Sequence, residues 1–256
     1  MLRNQEFPLP VQNLSKFELS SYKNFELVLG VDEAGRGSIA GPVSISYVGF
    51  SNKYLQNIVN KKNFNFETKI RDSKQLKEKE REFLLLQIQN FCLVYKNLLV
   101  SSLIVDKLGI NGAIEKAIII FLKHLILYNS FTKIKIYLDG NYNFSYQNLV
   151  QEIPKIQKFH ILRNNSICDI VFIQNTKIYK IQIENVPKGD EKVFSIACAS
   201  IVSKVLRDQY MKNLSNRFPI YEFHIHKGYG TKKHRMYIET FGNCILHRKS
   251  FIKFLT

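Results

Sequence analysis

An apolar run, Phe25-Glu26-Leu27-Val28-Leu29, leads without a break into Gly30-Val31-Asp32-Glu33-Ala34-Gly35-Arg36-Gly37. The run reads as a buried strand, and it delivers two adjacent carboxylates and a glycine-flanked arginine to its end. Successive strand residues point to opposite faces, so Asp32 and Glu33 are expected to share a site only because the strand stops there. Glycines let a backbone come close to a partner, and arginine binds phosphate. Carboxylates beside such a turn suggest a divalent cation between protein and phosphodiester. Taken alone, the octapeptide fits an acidic turn with glycines for geometry equally well.

The rest of the chain interleaves strands and helices. Leu27 to Asp32 and Val43 to Phe50 read as strands whose poor alternation suits burial on both faces. Ser51 to Phe66, rich in Asn and Lys, reads as loop. Lys77 to Phe91 carries a helical stripe of Leu84, Leu85, Ile88 and Phe91, and Cys92 to Ser101 follows as a strand. Asn111-Gly112 opens a helix reaching Tyr128, and Ile134 to Leu138 is a strand ending at Asp139. This alternation predicts an α/β sheet, and acids at strand ends place a site at its edge.

The chain has 256 residues, 45% of them hydrophobic, which is enough for a core and argues against disorder. A net charge of +16 favours a polyanionic partner, although coding bias toward Lys, Asn and Ile would also raise the lysine count. Cys92, Cys168, Cys198 and Cys244 are widely spaced, with no zinc-type cluster, so free thiols are expected. Met1 to Ser20 lacks an apolar signal core, and Ala117 to Leu127 is too short and interrupted for a membrane span. A soluble, cytoplasmic protein is the expectation.

Further motifs follow the octapeptide. They are Arg71-Asp72-Ser73-Lys74-Gln75-Leu76, Leu138-Asp139-Gly140, and Lys188-Gly189-Asp190-Glu191-Lys192 running into Ser195 to Asp208. Lys227-Gly228-Tyr229-Gly230-Thr231 with His234, and His247-Arg248-Lys249-Ser250-Phe251, close the series. In this order, over roughly residues 27 to 251, they resemble the type 2 ribonucleases H, the ribonuclease HII family. Ala34 and Arg36 favour type 2 over the sister type 3 enzymes.

The resemblance implies a ribonuclease H-like mixed sheet flanked by helices, with a helical C-terminal region at about 210–256. A polar lead-in, 1–24, would precede a single catalytic domain, 25–256. Between Asp139 and Asp190 the chain is longer than expected, so an insertion is placed at about 141–184, with Ile170 to Gln174 and Lys177 to Glu184 read as a hairpin around Asn175-Thr176, dispensable for the chemistry. Extra substrate contact and plain decoration suit it equally. The implied activity is an endoribonuclease that degrades RNA in RNA–DNA hybrids. It would also incise on the 5′ side of single ribonucleotides in duplex DNA, leaving a 3′-hydroxyl and a 5′-phosphate. Two divalent ions, Mg²⁺ or Mn²⁺, would serve it, and a monomer is the default.

Onto this sequence the resemblance carries Asp32, Glu33, Asp139 and Asp190 as catalytic carboxylates and metal ligands. Each has another reading: Asp139 before Gly140 as a turn residue, Asp190 as a helix N-cap. Glu191 is a rival for the fourth role. Asp208 would lie about 27 Å along a helix from Asp190 and is read as a structural partner. Gly35, Arg36 and Gly37 would contact the 2′-hydroxyl of the target ribonucleotide, and Tyr229 would pack against the neighbouring deoxynucleotide. Ser73, Lys74 and Lys227 would touch phosphate, with Lys232 and Lys233 nearby. His234, His247 and Arg248 read as phosphate contacts or helix caps; His226 fits the family pattern, in which this position is commonly His or Asn, and by itself equally reads as a surface histidine. Other readings are a different nuclease of the same fold, which would not need the glycine-arginine turn or Tyr229, and a non-catalytic hybrid-binding protein.

Overall fold

The computed structural model describes residues 10–60, 70, 73, 76–145 and 148–253. Its seven strands, β1 (Leu27–Ala34), β2 (Val43–Gly49), β3 (Val94–Val100), β4 (Lys133–Asp139), β5 (Ile156–Asn164), β6 (Ile167–Gln174) and β7 (Lys177–Val186), form one sheet. The order is β3-β2-β1-β4-β7-β6-β5. The central β1, β4 and β7 run parallel, while β2, β3, β5 and β6 extend the sheet antiparallel on either side. This is the mixed sheet expected for the fold.

Helices cover both faces: α1 (Pro10–Leu19), α2 (Asn52–Val59), α3 (Glu78–Phe91), α4 (Ser102–Tyr128), α5 (Leu149–Glu152), α6 (Phe194–Ser215), α7 (Phe223–His226) and α8 (Lys232–Phe241). Leu27, Leu29 and Val31 of β1 point into a core shared with Ala117, Phe121 and Leu125 of α4. The alternate residue Val28 faces Ile196 of α6. Gly30 lies on that second face too, and a Cβ there would fall 2.1 Å from the Ile196 backbone nitrogen, so glycine alone lets α6 approach so closely.

Four expectations meet a different structure. β1 continues through Ala34, so the acidic pair lies within the strand. Within Ser51 to Phe66, residues 52–59 form α2, because the Ser51 hydroxyl accepts from the Tyr54 amide and Leu55 and Ile58 bury one face. The helix ending at Tyr128 begins at Ser102, capped by Ser101, and is broken at Gly109, whose φ of 69° no helix holds. Phe91 of the expected stripe is 46% exposed, at the end of α3.

Residues 141–184 supply β5, β6 and most of β7. The hairpin expected around Asn175-Thr176 is present as β6–β7. Its second strand, however, also pairs with β4 from Lys133↔Lys180 to Asp139↔Val186. Ile170, Phe172, Ile181 and Ile183 of this segment enter the main core, so the segment is built into the sheet. The C-terminal part is α7, α8 and single 3-10 turns, packed through Phe223 and Tyr221 on Ala40, Met211 and Leu214.

Candidate active site

The register of the sheet explains how neighbours on opposite faces come to line one cleft. β1 pairs with β4 only as far as Val31↔Leu138, whereas its pairing with β2 continues to Ala34↔Ser44. Asp32 therefore lies level with Asp139, the end of β4, and Glu33 extends one residue past it, at an open edge of the sheet. Asp139 is the last residue of β4. Asp32, Glu33 and Asp139 all line a cleft of ≈ 480 Å³, together with Gly35, Arg36, Gly37, Ser73, Ser200, Lys204 and Tyr229.

The carboxylates are held in different ways. Asp32 is buried, and its carboxyl accepts from the Glu33 amide at 2.7 Å and from the Ser200 hydroxyl. Burial, then the nearby charges of Glu33 and Asp139, push its pKa well above the usual carboxylate range. Glu33 is also raised, mainly by burial; the Tyr142 hydroxyl, donating to its Oε1 at 2.9 Å, and Arg36, at 3.6 Å, pull the other way. Asp139 Oδ1 accepts from the Gly189 amide at 2.6 Å, which ties β4 to the 3-10 turn Gly189–Glu191. In that turn Asp190 is 8% exposed and Glu191 is exposed. Asp190 does not cap α6: the N-cap is Val193, and the Ser195 amide donates to the buried Glu18 of α1 at 2.8 Å.

The glycine-arginine turn is fixed from beneath by two buried arginines. Gly35 has φ +87°, and a Cβ on it would fall 2.0 Å from Arg207 Nε. Arg207 Nε donates to the Pro42 carbonyl at 2.9 Å and Nη2 to that of Ala40 at 3.2 Å. Arg248 Nε donates to Gly41 at 3.0 Å and Nη1 to the Arg36 carbonyl at 2.9 Å. One of these charge-assisted bonds, from Arg248 to the Arg36 carbonyl, holds the turn itself; the others hold residues 40–42 just after it, while Arg207 packs beneath Gly35. Arg207 and Lys204 also stand 5.3 and 5.4 Å from the centre of the Tyr229 ring, which is 37% exposed.

Other expected contacts fall elsewhere. Ser73 lines the cleft, but it is buried and its hydroxyl bonds that of Ser200 at 2.9 Å. Lys74, with Arg71 and Asp72, lies outside the described residues. Lys227 holds a left-handed backbone and its ammonium donates to the His224 carbonyl. Asp208 pairs with Lys204 at 2.9 Å, in a structural role.

His226, His234 and His247 are buried and form one group. The Cys244 amide donates to His247 Nδ1 at 2.9 Å, which leaves the Nε2 proton for His234 at 3.1 Å. His234 Nδ1 in turn donates to the Tyr229 carbonyl at 2.9 Å. The imidazoles therefore brace the Tyr229 turn, and burial lowers the pKa of His234 and of His247 to about 4.

Sequence reasoning missed Tyr142, Ser200, Lys204, Glu18 and the bracing role of Arg207 and Arg248. Only the small-residue run around Ser200 gave a signal, and it marks helix packing as readily as a site. Among the described residues, no three His, Cys, Asp or Glu side chains are drawn together as a ready metal cage. The donor chemistry nevertheless suits a hard cation: mutually repelling carboxylate oxygens face one cleft with room for water.

Comparison with known proteins agrees with this geometry. The family model for ribonuclease HII matches residues 29–254. A ribonuclease HII of Caldicellulosiruptor bescii is 33% identical over 233 residues, covering 90% of this chain and 89% of that one. Among solved structures, the ribonuclease H2 of Pyrococcus horikoshii OT3 superposes with a TM-score of 0.61 at 21% identity, covering 90% and 96% of the two chains. A Bst-RNase HIII in complex with Mn²⁺ gives a TM-score of 0.58 at 15% identity, covering all of this chain and 76% of the other. With a family match across nearly its whole length and a mixed sheet that carries the acidic cleft, this chain belongs to the ribonuclease HII family of hydrolytic endoribonucleases.

Proposed function

We propose that the protein is a divalent-metal-dependent endoribonuclease that cuts RNA in RNA–DNA hybrids and incises 5′ of single ribonucleotides in duplex DNA. The observation that carries this reading is the cleft itself. Asp32, Glu33 and Asp139 face the same space as the Gly35-Arg36-Gly37 turn and Tyr229, so metal-type donors and a ribose reader share one wall.

Asp32, Glu33 and Asp139 would hold Mg²⁺ or Mn²⁺, with Asp190 completing the set from the adjoining turn, outside the cleft's own lining; the burial of Asp190 and the exposure of Glu191 favour the former. Two bound cations would supply an activated water and neutralise charge on the leaving oxygen. The bound Mn²⁺ of the Bst-RNase HIII structure supports this assignment through the shared fold.

The chain's own residues do the rest. The turn presents its backbone to the 2′-hydroxyl, the group that separates RNA from DNA at one position. Arg207 and Arg248 keep that backbone from yielding to a deoxynucleotide. Tyr229, whose ring lies against Arg207 and Lys204, offers a ring on which the next nucleotide packs. Lys204 lines the same cleft, where its ammonium would meet the scissile phosphate.

The test is incubation with an RNA–DNA hybrid and with an all-DNA duplex, in Mg²⁺, Mn²⁺ or chelator. Metal-dependent cleavage of the hybrid alone, with 3′-hydroxyl and 5′-phosphate ends, is expected. Hybrid binding without cleavage in either metal would replace the enzyme with a binding protein.

A further inference from the structure

Tyr142 belongs to none of the motifs that mark the family, yet its hydroxyl bonds one of the carboxylates that line the cleft. It follows Asp139 by three residues on the loop leaving β4. Its carbonyl accepts from Asn185 Nδ2 of β7 at 2.7 Å, and its ring stacks on Phe144 with centroids 4.7 Å apart. The ring also lies against Gly140, where a Cβ would approach it to 3.0 Å. The hydrogen bond fixes the backbone of the loop, and the stack and the Gly140 contact fix the ring.

The hydroxyl serves two partners at once. It donates to Glu33 Oε1 at 2.9 Å and accepts from Arg36 Nη1 at 2.9 Å. Arg36 Nη2 donates in turn to Asn111 of α4 at 2.7 Å, and its guanidinium lies 5.3 Å from the centre of the Tyr142 ring. One phenol therefore links a carboxylate of the acidic pair to the arginine of the ribose-reading turn. With Oε1 occupied by the phenol, Glu33 has Oε2 left for a cation. A partner of this kind fixes the orientation of a ligating carboxylate, and its loss lowers metal affinity about 10–100-fold in metalloproteins generally.

We infer that Tyr142 is a positioning residue, orienting Glu33 for a divalent cation and holding Arg36 beside it through the same hydroxyl. The inference rests on the reading of the acidic cleft as a metal centre. It also gives residues 141–184 a part in the site, because both Tyr142 and the Asn185 that anchors it arise from that segment or its border.

The test is Mn²⁺ binding, measured by calorimetry on the full chain without nucleic acid. The set is wild type, Tyr142→Phe, Glu33→Gln and the double variant. Tyr142→Phe keeps the ring, so its stack on Phe144 and its fold are retained, which thermal melting checks. The expected result is an affinity weakened about tenfold or more in Tyr142→Phe. In the Glu33→Gln background the same change should add almost nothing, because Tyr142 acts through Glu33. Cleavage by Tyr142→Phe should recover as Mn²⁺ is raised. Affinity within twofold of wild type would overturn the inference while leaving the metal centre in place, as would losses that add in the double variant. Failure of wild type to bind Mn²⁺ would overturn the metal reading, and the inference with it.

Discussion

Asp32 and Glu33 are consecutive in a strand, so pleating sends them to opposite faces, yet both reach the cleft because β4 ends level with Asp32 and leaves Glu33 without a neighbour on that side. Burial raises the pKa of Asp32, and the nearby charges of Glu33 and Asp139 raise it further. Asp32→Asn should therefore reduce cleavage about 10³-fold or more, the loss of several kcal/mol of charge stabilisation. In chelator the variant should bind hybrid as wild type does and melt no lower, since a repelling charge has gone; a lower melting temperature would make Asp32 a structural residue. Tyr229→Ala should slow cleavage at a lone ribonucleotide about 10–100-fold, the size of one lost stack. Continuous RNA, which offers the enzyme other registers, should suffer less, and equal losses would remove Tyr229 from the junction.

Elements were legible where the sequence signal was local. The apolar runs of β1, β2 and β4 and the stripe of α3 are carried by neighbouring residues, and so were the Asn175-Thr176 turn and its two strands. α2 was hidden by its Asn and Lys content, because a single Ser51 cap and two buried side chains outweigh a polar composition. β5 lacks clean alternation, and its place at the sheet's edge is set by pairing with β6. Among site residues, those in contiguous motifs could be read, whereas Tyr142 and Arg207 act through contacts 109 and 165 residues away along the chain.

The histidine group is an element-scale brace on the same pattern, drawing residues from α7, α8 and the C-terminal segment onto the Tyr229 turn. Its folded pKa values lie below the unfolded value near 6.5, so the neutral group stabilises the fold fully above that pH. That contribution is lost as pH falls from about 6.5 toward 4. Melting temperature should drop between pH 7 and 5 in wild type and drop less in His234→Gln; parallel curves would detach stability from the histidines.

At the scale of the molecule, the +16 charge and the cleft address one partner. Binding of an RNA–DNA hybrid by Asp32→Asn in chelator should weaken about tenfold or more between 50 and 200 mM salt, the loss for two or more neutralised phosphates. A flat salt response would assign the lysine excess to composition alone. No helix among the described residues is long and apolar enough to cross a membrane. The strand order also explains why 141–184 could not be judged from length: β7, most of which lies within it, pairs with β4, a non-local contact that no local pattern announces.

If a metal-binding acidic cleft and a backbone turn that reads one 2′-hydroxyl form a single site, a DNA duplex carrying one ribonucleotide should reveal both at once. Incubated with wild-type protein in Mg²⁺ or Mn²⁺ and mapped at nucleotide resolution, it should be cut once, immediately 5′ of the ribonucleotide. No cut should occur in chelator or in the all-DNA duplex. Cutting at deoxynucleotides, or undiminished cutting in chelator, would separate the two halves of the site.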